Sequence, residues 1–120
     1  MEYKSKLPER TLDFAKSVVR MCRSLTKDVV NFKIIDQIVR SSASIGANYL
    51  EANDCLGKKD FLHRLRISRK ESKETIYWLE LLKEGNESQI KQLDYLIAEC
   101  IELRNILSAI ITKVNLKNGT

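Results

Sequence analysis

Apolar residues recur every three to four positions along almost the whole chain, the period of helices that bury one face. The first run holds Leu12, Phe14, Ala15, Val18, Val19, Met21, Cys22, Leu25 and Val29. It predicts a helix over 8–30. Pro8 suits its first position, where the backbone N–H has no intrahelical partner, and Glu9 suits the positive end of the helix dipole. The second run predicts a helix over 33–53. There Ile35, Ile38, Ser42, Ile45 and Tyr49 share one face, and Arg40, Ser44, Ala47 and Glu51 fall roughly opposite. So many small side chains (Ser41, Ser42, Ala43, Ser44, Gly46, Ala47) imply that another backbone comes close to this helix.

The third run is Phe61, Leu65, Ser68, Ser72, Ile76 and Leu79, predicting a helix over 58–84. Gly57 takes its N-cap, Asp60 favours its first turn, and Gly85 is placed to end it in the left-handed conformation. The fourth helix spans 88–115. Its apolar positions, from Leu93 through Cys100, Leu103 and Leu107 to Val114, cover well over half the circumference. One bundle core needs a stripe about 100° wide. The surplus predicts a second buried surface, most simply another copy of the chain. Short links make successive helices antiparallel neighbours. The expected fold is therefore all-α, one antiparallel up-down-up-down four-helix-bundle domain over 1–120.

Composition supports this. One proline and four glycines in 120 residues leave too few turn residues for an all-β domain. No run of about 18 apolar residues exists to cross a membrane. The start, MEYKSKLPER, lacks the apolar core of a secretory signal. Cys22, Cys55 and Cys100 are odd in number and widely spaced, as expected of free thiols in a cytoplasmic protein.

Charge changes the picture more. The net charge is +5, and the excess is local. Lys58, Lys59, Arg64, Arg66, Arg69, Lys70 and Lys73 face only Asp60 and Glu71 in the same stretch. On the third helix Lys59, His63, Arg66, Arg69, Lys70 and Lys73 fall within about 120° of one another. Such a row suits a phosphate backbone. Lys16, Arg20, Arg23 and Lys27 form a second row on the first helix. The two helices are diagonal in an up-down bundle, so a continuous basic groove would need two protomers. Tyr77 and Trp78 lie beyond the third-helix row with no aromatic among the bases, so base stacking is not expected.

The segments RSSASIGANYLEA (40–52) and KKDFLHRLRISRKESKETIYWLELL (58–82) resemble the bacterial four-helix-bundle family of the 23S rRNA intervening-sequence proteins. The family's first segment is of the type R-S-x-x-S-I-x-A-N-x-x-E-A. Its second resembles S-K-x-D-F-x-x-K-L-x-I-A-x-K-E-x-x-E-T-x-Y-W-L. Gly57 departs from the usual serine cap, and Ser68 from a usual alanine. The resemblance implies a left-handed bundle and a ring-like homo-oligomer, often a pentamer. A related branch, the accessory proteins of diversity-generating retroelements, binds reverse transcriptase and nucleic acid. The expected partners are thus further copies of the chain, RNA or a nucleic-acid-processing protein, and no membrane.

Arg40, Asn48, Glu51, Glu71 and Glu74 sit inside the two motif segments. They read as an interhelical polar network in which Arg40 meets Glu71 or Glu74. A ligand site is the other reading. His63 is the sole histidine, and neither Glu-x-x-His pairs nor Cys/His clusters exist. No metal, cofactor or catalytic group is expected. Two functions remain: a sequence-tolerant RNA-binding accessory protein, or an oligomeric protein–protein scaffold that binds no nucleic acid.

Overall fold

The structure, a computed structural model, describes residues 2–118, with side chains over 6–117. Four helices run α1 (Glu2–Arg23), α2 (Val29–Asn53), α3 (Lys58–Leu82) and α4 (Ile90–Asn118), with one 3-10 turn at Glu87–Gln89 before α4. Among the described residues, packing joins α1 to α2, α2 to α3, α3 to α4 and α1 to α4, while the backbones of the diagonal pairs do not come close. Cross-helix bonds fix the directions. Arg40 meets Glu74 and Arg64 meets Asn48 on α2 and α3, while Lys83, just past α3, meets Asp94 of α4 and Arg66 of α3 meets Asn115 of α4. Each neighbour runs antiparallel, giving an all-α up-down-up-down bundle about a core that includes Leu7, Val18, Ile38, Ile45, Leu65, Leu79, Leu96 and Leu107.

Two boundaries differ from the hydrophobic period. α1 does not start at Pro8, which lies inside it. Proline's fixed φ is helical, but at this position it costs the helix one backbone hydrogen bond, which the burial of Leu7 and Thr11 on the adjoining turns offsets. Nor does α1 reach residue 30. It closes on tight bonds from the Ser24 and Leu25 N–H groups to the Met21 and Cys22 carbonyls. Asp28 then caps α2, its carboxylate accepting the Asn31 N–H at 2.8 Å. Val29 matched the period of α1 but is 68% exposed on the first turn of α2. At the far end of α3, Gly85 adopts φ +83°, the left-handed conformation that glycine takes without strain.

The small residues work within the protomer. Ser41, Ser42, Ser68, Ser72 and Thr75 are all buried. They let α2 and α3 form the most extensive seam in the bundle. Ser68 donates across it to the Ile45 carbonyl at 2.7 Å, and Thr75 Oγ1 lies 2.8 Å from both Ser41 Oγ and the Glu71 carbonyl. On the α1 side the close contact is at Gly46, where a Cβ would come within 2.8 Å of Thr11 Oγ1. Ala47 and Glu51, expected to face an approaching backbone, are exposed instead.

Most of the apolar surplus of α4 is buried within the protomer. Leu93, Leu96, Ile97, Cys100, Leu103, Leu107, Ile110 and Ile111 are all buried, because α4 meets both α3 and α1. On α4, Ile90, Tyr95 and Leu116 are exposed at scattered positions toward its two ends, and longer exposed rows lie on α1 and α2. On α1, Leu12 (54%) and Val19 (36%) face outward with the half-buried Ala15 and Cys22. On α2, Phe32 (55%), Val39 (39%), Ala43 and Leu50 (52%) repeat at helical spacing. A groove between the helices joins the two rows at Val19, Cys22, Phe32, Ile35 and Val39.

Candidate nucleic-acid interface

α3 carries the main basic row. Gly57 opens the helix with extended backbone and no side-chain cap, and Asp60 lies in the first turn. The buried positions Leu62, Leu65, Ser68, Ser72, Thr75 and Leu79 set the inward face. The outward face is then fixed: Lys59, His63, Arg66, Lys70 and Lys73 are exposed, and Arg69 is half-buried at its edge. Neutralisation is slight. Lys70 Nζ lies 4.0 Å from Glu71, and Arg66 donates to the Asn115 amide oxygen at 3.5 Å. Lys59, Arg66, Arg69 and Lys73 have no carboxylate within 4.0 Å among the described residues. Most of the row's charge therefore faces water.

The α1 row is shorter than its spacing suggested. Lys16, Arg20 and Arg23 are exposed on the helix, and Arg20 donates to Ser17 at 3.1 Å. Lys27 lies in the loop after α1, because the helix ends at Arg23, and it leaves the register of the row. α1 and α3 are diagonal, and among the described residues their backbones do not come close. Their rows also lie toward opposite ends of the bundle, Arg23 near the α1–α2 loop and Lys59 near the α2–α3 loop. One protomer forms no continuous basic groove.

The motif's polar residues divide into separate contacts. Arg40 reaches Glu71 at 3.3 Å and Glu74 at 3.1 Å, bridging α2 and α3. Its side chain is 51% exposed while that of Glu71 is 8%, so the pair sits at the rim of the seam. Asn48 takes no part in that bridge. Its amide donates to the Ser44 carbonyl at 2.9 Å, and its oxygen accepts from Arg64 at 3.1 Å. Glu51 is exposed, and its carboxylate has no hydrogen-bond partner among the described residues. The reason is axial: Glu51 shares a face with Arg40 but lies three turns further along α2, past the reach of Glu71 and Glu74.

Sequence reasoning missed two polar contacts. Asn31 and Asn86 exchange amide hydrogen bonds at 3.2 and 3.0 Å in a buried pair. Asn31 also donates to the Thr26 carbonyl and Asn86 to the Leu82 carbonyl, each at 2.8 Å. On the α1–α4 seam, Arg10 grips Glu99 through two bonds at 2.7 and 2.9 Å and also contacts Glu102. Neither pair has a local sequence signal, since each joins residues far apart in the chain.

Candidate chemistry is sparse. Among the described residues no three His, Cys, Asp or Glu side chains gather where they could share a metal ion. Burial pushes the Cys22 thiol up to about 11 and the Cys100 thiol up to about 12, so neither is a ready nucleophile near neutral pH. Among the described residues no helix is long and apolar enough to cross a membrane.

The fold and its outward charge define a small helical-bundle protein with a basic helix face. The chain belongs to the family described as 23S rRNA-intervening sequence proteins, which matches over residues 4–109. A crystal structure of a protein of unknown function from the S23 ribosomal protein family of Bacteroides thetaiotaomicron is similar to it, with 34% identity and a TM-score of 0.78. That similarity covers 87% of this chain and 96% of the other. No protein of curated function matches the chain.

Proposed function

We propose that this protein is a non-enzymatic, cytoplasmic RNA-binding accessory protein that works as a homo-oligomer. The observation that carries the reading is the α3 row itself: Lys59, Arg66, Lys70 and Lys73 stand exposed on one helix face, and of these only Lys70 has a carboxylate, that of Glu71, within 4.0 Å among the described residues. Lysine and arginine on a convex helix contact phosphates without reading base edges, so the binding is tolerant of sequence. RNA is chosen over other polyanions because the chain belongs to the family described as 23S rRNA-intervening sequence proteins. The uncovered apolar face of α1 and α2 supports self-association. Several copies place several α3 rows on one assembly, which answers the lack of a groove in a single protomer. A pentamer is the assembly the family resemblance favours. A nucleic-acid-processing protein would be a natural further partner.

The same apolar face supports the second reading, an oligomeric scaffold that binds only protein. A salt titration of RNA binding separates the two. Wild-type protein should bind single-stranded RNA with an affinity that falls steeply with salt. Changing Lys59, Arg66 and Lys73 together to glutamate should abolish that binding with the fold intact, since all three are exposed. Arg69 is left unchanged because it is half-buried. Equal, weak binding by wild type and variant would favour the scaffold.

A further inference from the structure

The outward face of α3 does not end with its last lysine. At about 100° per residue, Lys59, His63, Arg66, Lys70, Lys73 and Tyr77 lie within about 40° of one line. The line is about 27 Å long at the helical rise. Tyr77 is 64% exposed, so it stands in the track. Its ring meets Trp78 edge-on, with centroids 5.2 Å apart and planes at 81°. An edge-to-face contact fixes the ring's tilt yet covers at most one face of it, leaving the other open. Past the ring the charge reverses. Glu84 follows in line and Glu80 beside it, the latter paired with Lys83.

We propose that Tyr77 is a stacking platform, and that the α3 track takes a short single-stranded stretch of RNA with phosphates on the cations and an unpaired base on this ring. The inference rests on the RNA-binding reading and names its substrate class. A duplex satisfies the lysines and arginines but keeps its bases stacked and paired, so Tyr77 adds nothing to duplex binding. A single strand offers both phosphates and free base faces, and stacking on an aromatic ring tolerates any base. Glu80 and Glu84 repel a backbone that continues along the helix, so the strand ends or turns away at Tyr77.

The test uses two single strands of equal charge, an oligoadenylate of about six nucleotides and the same oligomer with abasic riboses, and a blunt duplex long enough to stay annealed as the paired-base control. Binding is followed by anisotropy, and by fluorescence of Trp78, the chain's sole tryptophan. Wild type should bind oligoadenylate about tenfold tighter than the abasic strand and quench Trp78 only with the former. Tyr77→Ala should lose that advantage while binding the abasic strand and the duplex as wild type does. Tyr77→Phe should keep it. Unchanged oligoadenylate binding by Tyr77→Ala, in a protein whose Lys59/Arg66/Lys73 glutamate variant loses binding, would overturn the stacking role alone. Equal, weak binding of every probe by wild type and the glutamate variant would overturn the RNA reading and the stacking role with it.

Discussion

At Gly46 one methyl group decides how closely α1 and α2 can run. In an open helix position, alanine is favoured over glycine by about 1 kcal/mol. Here the added Cβ would meet Thr11 Oγ1 at 2.8 Å and Thr11 Cβ at 3.1 Å. Overpacking of this kind costs about 1–3 kcal/mol, which exceeds the propensity gain. Gly46→Ala should therefore lower stability by about 1 kcal/mol in urea unfolding, the reverse of its effect at an exposed site. Thr11→Ala removes the hydroxyl that clashes, so the double variant should be more stable than the sum of the singles allows. A stabilised Gly46→Ala protein would show that α1 can shift away freely. The raised Cys22 and Cys100 thiols are the mark of sulfur shielded from water.

At the scale of elements, the Asn31–Asn86 pair fastens the α1–α2 loop to the α3–α4 loop at one end of the bundle. Every donor and acceptor of the pair that the fold buries is matched by the other amide or by a loop or helix carbonyl. Truncating one side strands the other. Asn31→Ala and Asn86→Ala should each cost about 1–3 kcal/mol in chemical denaturation, as for an unsatisfied buried amide. The double variant should cost less than the sum, and strict additivity would mean that the two amides do not depend on each other. The pair also marks what the sequence could not reveal. Helices were legible because a 3.6-residue period is local, and the α3 caps because Gly57 and Gly85 are local too. The α1–α2 break was misplaced because Val29 kept the apolar period across a loop, while the cue that mattered was Asp28 three residues before Asn31. The α3 row was legible as a helical face, but the status of Tyr77 was not. Whether an aromatic at the end of a row is buried or exposed depends on what the neighbouring helices cover.

At the scale of the whole molecule, the question is which face another copy covers. Periodicity pointed to α4, because its apolar positions exceed one stripe. The bundle answers otherwise for most of them, since α4 buries its central positions against α3 and α1 and leaves Ala98, Asn105 and Ala109 outward, with Ile90, Tyr95 and Leu116 exposed only toward its ends. The uncovered apolar rows run along α1 and α2, and both repeat at the spacing by which a helix packs on another helix. Val39 sits near the middle of that face and is 39% exposed, so a charge there can be tolerated by the monomer. In an assembly the same charge would be trapped against apolar neighbours, at a cost of several kcal/mol. Sedimentation equilibrium at micromolar concentration should give wild-type protein a mass several times 13.9 kDa. Val39→Glu should return the mass to that of one chain with helicity unchanged, and Ala109→Glu on α4 should leave the assembly intact. If Ala109→Glu dissociates it and Val39→Glu does not, the surface of α4 is the contact after all. A wild-type monomer across the range would leave each α3 row to bind RNA alone. Its salt dependence would then be limited to the few phosphates that Lys59, Arg66, Lys70 and Lys73 can reach, with a slope no steeper than about −3 in log K against log salt.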